Sequence, residues 1–288
     1  MVLEQLIVNG IIAGGIYALI AIGFSMTYGL LRFINIAHGS LYVVGAYTAF
    51  VFFSLGTGIV AAFFLAIAVT AAIGILIEKG VYKPLRNKKS SSLIILLASL
   101  GIFILIENII IALFGAEVKT IRTGPVQQGL SIAGAIITPT QLMIIAVSFL
   151  TLFIVEIFLL KTRTGRAMRA TADNKDVAQV IGIDVERITT YSFAFASALA
   201  ASAGVLIAIE QNLEPTMGLT AIIKGFTASV VGGLGSIRGA VAGAFILGFV
   251  ENIGVWFLPS GFKDAIAFVV LLVFLLMRPQ GIFGRKEV

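Results

Sequence analysis

The chain contains no cysteine, which excludes disulfides, thiolate nucleophiles and thiol-bound metals. It has one histidine, His38, too few for a polyhistidine metal site within one chain. Charge is scarce as well: 12% of its 288 residues are Asp, Glu, Lys or Arg, about half the share in a soluble domain. What is abundant is apolar. Hydrophobic residues make up 59%, and several runs reach the roughly 20 residues that cross a bilayer core. Soluble single-domain and disordered readings are thereby excluded, and the chain reads as a polytopic membrane protein. Its first residues, MVLEQLIVNG, have neither a basic stretch nor a small-residue cleavage site. The first apolar segment is therefore expected to stay in the mature protein.

Hydropathy places apolar segments near 4–30, 38–55, 58–78, 93–113, 139–160, 188–210, 220–236, 239–258 and 262–278. The fold class expected is an all-α transmembrane bundle of eight or nine spans, in one domain covering 1–288. Broken or re-entrant segments are expected near 32–40 and 220–239.

The net charge of +6 would suit nucleic acid, but its placement says otherwise. Lys79, Lys83, Arg86, Lys88 and Lys89 crowd the loop 79–92, which has no acid. Lys161, Arg163, Arg166, Arg169, Lys175 and Arg187 lie in the loop 161–187, and Arg278, Arg285 and Lys286 in the tail. The long loop 114–138 has only Lys119 and Arg122. Short basic loops stay cytoplasmic, so the charge is a topology signal. It puts the three basic regions and the C-terminus inside, and the N-terminus and the loop 114–138 outside. No nucleic-acid partner is expected. Trp256, the one tryptophan, falls at the outer end of its segment, where an amphipathic ring suits the interface.

Lipid gives helices no hydrophobic reason to associate, so small residues must permit close contact. Gly10 and Gly14 form one such ladder, Gly235, Gly239 and Gly243 another, and Ala196, Ala200, Gly204 and Ala208 a third. Ionisable groups inside spans are costly unless they face protein or water. Glu156 lies near the inner end of its segment and can reach toward Lys161. Glu107 and Glu251, each followed by Asn, lie deeper. They either line a polar route or bond between helices.

Two stretches break the apolar runs. In Asn35-Ile36-Ala37-His38-Gly39-Ser40-Leu41, the side chains of Asn35, His38 and Ser40 can satisfy backbone freed where a helix breaks, and Gly39 relaxes the backbone. Gly232-Gly233-Leu234-Gly235-Ser236-Ile237 echoes the Gly39-Ser40-Leu41 pattern, and paired broken segments point to a transport path. In the loop 161–187, Ala167, Ala170, Val177, Ala178 and Ile181 recur at helical spacing, Asn174 interrupts the stripe and Gly182 follows it as a stop. Such a short amphipathic helix must cover its stripe with lipid or a partner. This one is thin and rich in alanine, without Trp or Phe, which favours a protein partner over a headgroup surface.

Four ordered motifs then carry a resemblance. Gly14–Tyr47, Arg169–Asp184, Lys224–Asn252 and Met277–Gly284 resemble the LivH-type permease of branched-chain amino acid ABC importers over nearly the whole chain. One departure is Arg238, where the family pattern carries proline between the glycines. The resemblance implies a multi-pass protein of a prokaryotic inner or plasma membrane. It implies a second, LivM-like permease, two cytoplasmic ATPases and an external binding protein as partners, besides membrane lipid. It also implies a coupling role for Arg169, Ala172, Asp173, Val177, Ala178, Ile181 and Gly182. ATP must bind elsewhere, since the chain has no GxxxxGK[ST] loop; no catalytic residue, metal or cofactor is expected in it. A zwitterion must pass without being trapped, so Asn35, His38, Gly39, Ser40, Gly235 and Ser236 are expected near the route or its inner gate, with Glu107 and Glu251 as deeper polar groups. The rival readings are an ion-coupled carrier using His38, Glu107 and Glu251, a permease of the same family for amides or urea, and a membrane protein that moves nothing.

Overall fold

The computed structural model describes residues 2–121, 129–132 and 134–284; Arg122, Arg285 and Lys286 lie outside them. The elements run α1 (Val2–Leu31), α2 (Ala37–Ser54) and α3 (Ile59–Ile77). A π-helical turn (Glu78–Tyr82), α4 (Lys83–Asn87), α5 (Ser92–Phe114), β1 (Leu130–Ile132) and β2 (Ala135–Ile137) follow. Then come α6 (Pro139–Lys161), α7 (Arg163–Asp173), α8 (Lys175–Val180) and α9 (Val185–Glu210). The described chain closes with α10 (Met217–Gly232), α11 (Ile237–Gly254), a 3-10 turn (Ser260–Phe262) and α12 (Lys263–Met277).

Local chemistry sets the boundaries. Ser91, Thr138, Asn174, Asp184 and Ser236 each accept a bond from a backbone N–H of the turn they open, which satisfies donors that a helix start leaves free. Thr138 and Gln141 form a reciprocal capping box behind Pro139. Gly115, Gly182 and Gly233 follow α5, α8 and α10 with φ of +80°, +85° and +108°.

Among the described residues, seven helical segments are long and apolar enough to cross a membrane, so the expected eight or nine is too many. The two that fall short are α10, with 16 residues, and α2, with 18, whose apolar run is diluted by His38, Gly39, Ser40, Tyr42 and Tyr47. Both are sheltered by protein: α2 packs on α9, α3 and α5, and α10 on α11, α1 and α2. The expected break near 220–239 is also narrower than its glycine content suggests. α10 runs unbroken to Gly232, and only Gly233–Ser236 interrupts it before α11.

The centre of the bundle is α1 and α9, whose most apolar windows are 61% and 72% buried, against 22% for the α3, α5 and α6 windows and 6% for that of α12. Leucine, isoleucine and phenylalanine on those outer helices remain exposed, as a lipid-facing surface requires. The small-residue ladders make the central contacts. A Cβ at Gly14 would lie 2.6 Å from Phe245 Cδ1, and one at Gly248 would lie 2.7 Å from the Gly14 nitrogen. Ala196, Ala200 and Ala208 are buried, and Gly204 backs onto the Tyr42 carbonyl.

Among the described residues the all-α reading has one small exception, the hairpin of two three-residue strands β1 and β2, whose Ile136 N–H donates to Gln5 Oε1 at 2.9 Å. The loop after α5 is tied to the connection between α9 and α10 by a backbone bridge between Lys119 and Leu213. Glu156 does not reach Lys161. It pairs with Arg238 across the α6–α11 gap at 3.5 Å, because Arg238 opens the neighbouring helix at the same level.

Candidate functional site

The basic loops, the two helix breaks and the end of α12 gather at one end of the bundle, called here the basic end. There α1 stops at Leu31, Arg32 takes a left-handed φ of +55°, and the chain turns back into protein before α2 begins. Asn35 is buried and its Oδ1 accepts from the Tyr82 hydroxyl at 2.8 Å. The freed Ile36 N–H donates to Ser99 Oγ on α5 at 3.2 Å. His38 is fully buried, with Nε2 3.2 Å from the Ile20 carbonyl. Nε2 therefore carries the proton and donates it, while Nδ1 has no partner. Ser40 donates to the Ala37 carbonyl at 2.8 Å. Gly39 faces Gly218 so closely that a Cβ at Gly218 would lie 2.8 Å from the Gly39 carbonyl oxygen, and this contact lets α2 and α10 meet backbone to backbone.

These four residues come together, and each bonds or packs into the fold. Tyr82→Phe is expected to cost about 1–3 kcal/mol, because it leaves the buried Asn35 oxygen without its donor. The loss should appear as earlier unfolding of the detergent-solubilised protein. A variant as stable as the parent would mean that the bond carries no weight.

The second break lies at the same end but in different company. Ser236 Oγ caps α11 through the Gly239 N–H at 3.1 Å, and Gly235 (φ +82°) lies against Gly29. The tail then closes over the joint: Ile282 and Phe283 donate their N–H groups to the Val231 and Gly232 carbonyls, each at 2.9 Å. Glu107 stands apart from both breaks, partly exposed on α5, and Asn108 turns back to the Ile104 carbonyl at 2.8 Å.

Glu251 belongs to a network that the sequence reading missed. It is buried, and its Oε2 accepts from the Tyr17 hydroxyl at 2.8 Å and from Lys224 Nζ at 3.4 Å. The same ammonium bonds the Tyr17 oxygen at 3.1 Å and pairs with Asp264 at 3.0 Å. Glu251 Oε1 is buried without a partner. Lys263 bonds Asn252 at 3.1 Å beside it. A signal for it stands in the sequence: Lys224 is the only basic residue between Arg187 and Arg238.

A charged relay also joins the loop 161–187 to the first break. The π-helical turn buries Glu78, whose carboxylate takes both terminal nitrogens of Arg86, at 3.0 and 2.5 Å. Arg86 approaches Glu186 at 3.6 Å and Lys83 reaches it at 3.2 Å, so the start of α9 is clamped to α4. Burial, then the positive charges of Arg86 and Arg32, push the Lys175 ammonium below the ordinary lysine range, against the opposing pull of Asp176 and Glu186. The same turn supplies Tyr82, and hence the bond to Asn35.

The expected single helix of this loop is two. Asn174 Oδ1 accepts from the Asp176 and Val177 N–H groups at 2.9 and 3.0 Å, which ends α7 and starts α8. The apolar stripe is split accordingly. Ala178 faces inward at 1% exposure, while Val177, Val180 and Ile181 stand out at 56%, 87% and 66%. Val180 was not among the expected residues. Ala172 is half-buried, Asp173 and Gly182 are exposed, and Arg169 donates through Nε to the Leu159 carbonyl at 3.0 Å. A cleft of about 260 Å³ opens beside α7, lined by Thr164, Ala167, Ile183 and Arg187 among others.

Residues 6–275 match the family described as branched-chain amino acid transport system / permease component. The chain belongs to this family. This permease is 39% identical to the high-affinity branched-chain amino acid transport system permease protein BraD of Pseudomonas aeruginosa, over 99% of its length and 96% of the relative's. It is 37% identical to LivH of Escherichia coli K12 over the same shares. It is 31% identical to the probable LivH of Methanocaldococcus jannaschii, over 98% of its length and 93% of the relative's. Among solved structures, PsaBC from Streptococcus pneumoniae in complex with Fab matches with a TM-score of 0.53 and 15% identity, covering 97% of this chain and 93% of that one. That likeness concerns the fold.

Proposed function

We propose that this permease is the LivH-type subunit of an ATP-driven importer and forms part of the route for branched-chain amino acids. The observation that carries the reading is the near full-length identity to permeases named for that transport. In this reading the basic end faces the cytoplasm, as the lysine and arginine bias indicates. A second permease covers part of the bundle, an external binding protein delivers the solute, and two separate ATPases supply the energy.

The exposed ridge of Val177, Val180 and Ile181 is the docking point for an ATPase. Its motion reaches the bundle through rigid parts: α8 packs on α7 and α9, Arg86 clamps Glu78 to Glu186 at the start of α9, and the π-helical turn holds Asn35 through Tyr82. Asn35, His38, Gly39 and Ser40 act as the hinge between α1 and α2, and Gly235 and Ser236 as the hinge between α10 and α11. Coupling of this kind needs an element with two arrangements that both sites bias, and two helix breaks at one end of the bundle provide it. An ion-coupled carrier would need His38 beside a carboxylate. His38 instead bonds the Ile20 carbonyl, and Glu251 bonds Tyr17 and Lys224.

The test is ATP hydrolysis by the purified complex in lipid. Leucine-loaded binding protein should stimulate it, and a complex lacking this chain should show no such stimulation. Stimulation that persists without the chain would refute the reading.

A further inference from the structure

The Lys224 network opens to the surface of the bundle. Between α10 and α12 lies a cleft of about 240 Å³, and Leu219, Thr220, Ile223, Ala267 and Phe268 form its walls beside Lys224 and Asp264. The two charged residues differ in setting. Lys224 is 11% exposed and held from behind by Tyr17 and Glu251, whereas Asp264 is 59% exposed at the start of α12. A fixed cation paired at 3.0 Å with an exposed carboxylate, within an apolar wall, is costly on a lipid-facing surface. Water or a partner protein on this face would satisfy both charges.

We infer that this cleft is a binding station for a zwitterionic amino acid on the route. The solute carboxylate replaces Asp264 on the Lys224 ammonium, and its α-ammonium goes to the Asp264 carboxylate. The branched side chain lies among Leu219, Ile223 and Phe268. The exchange adds no net charge, and each of the two charged groups that the solute brings out of water meets an opposite charge. The cleft has room for about eight waters at roughly 30 Å³ each, enough for leucine. Glu251 is a positioning residue: its Oε2 holds Lys224 in place, and the solute does not need to touch it. The inference rests on the transport reading above and adds a place and a recognition chemistry to it.

The experiment uses the whole complex in nanodiscs without the binding protein. Because the chain has no cysteine, Thr220→Cys gives it one thiol in the cleft, whose reaction with a sulfonated maleimide is followed by mass spectrometry. The thiol should react, and leucine should slow it. Leucinamide, which lacks the carboxylate, and 4-methylpentanoate, which lacks the ammonium, should not. Asp264→Asn is exposed enough to leave folding intact, and should weaken protection by leucine about tenfold or more, the effect of losing a hydrogen bond to a charged group. ATP-driven leucine uptake by the parent complex is measured alongside. Normal uptake with an unreactive thiol, with no slowing by leucine, or with equal slowing by all three compounds would overturn the site and leave the transport reading standing. Absence of leucine uptake would remove the transport reading and the site with it.

Discussion

Replacing Val180 and Ile181 together by aspartate should abolish uptake while leaving the permease folded. Both side chains are exposed, at 87% and 66%, so the change removes no packing within the chain, and surface substitutions of this kind usually shift stability by less than about 0.5 kcal/mol. A central docking residue, by contrast, carries about 2 kcal/mol or more of binding energy, roughly thirtyfold in affinity per residue. Two charges placed in an apolar contact exceed that. The measurement is recovery of the ATPase with the tagged permease, together with the permease's own thermal unfolding. Loss of the ATPase with unchanged unfolding is the expected result. Full recovery of the ATPase would move the docking point elsewhere, and the cleft lined by Thr164 and Arg187 would be the next place to look.

The second large effect concerns the fold itself. Lys224→Met strips Glu251 of the ammonium that holds its Oε2, leaving a buried carboxylate whose other oxygen already lacks a partner. Breaking a buried pair from one side costs about 3–5 kcal/mol, whereas replacing both members by apolar groups is often neutral. Lys224→Met should therefore lower the unfolding midpoint sharply, and the double variant with Glu251→Leu should recover most of the loss. Two single losses that simply add would show that Lys224 and Glu251 are not coupled, contrary to the bonds seen here.

The architecture was largely legible because its signals are local or periodic. Long apolar runs, basic loops and small-residue ladders each follow from what lipid does to a backbone or a charge, and Gly182 ended its helix as read. The misreadings came where a segment's surroundings decide. α2 and α10 are covered by other helices, so neither has to be as long or as apolar as a lipid-facing span. Asn174 was seen to interrupt a stripe, but only its capping geometry shows that it divides one helix into two and turns Ala178 inward while exposing Val180. In the candidate site, Asn35 and His38 stood out by composition, whereas their partners Tyr82 and Ile20 lie far off in sequence. Glu251 was noticed for its depth. Its cation Lys224 comes from another helix, and no spacing in the chain connects them.

In the proposed reading this permease is a passive gate, and nucleotide hydrolysis in other subunits drives it. The most direct measurement is leucine uptake into proteoliposomes holding the complete complex, with ATP and binding protein varied and every ion gradient collapsed. Uptake that requires both ATP and the binding protein, and is indifferent to the gradients, is the result expected. Uptake that continues without ATP and stops when a proton or sodium gradient is dissipated would contradict it.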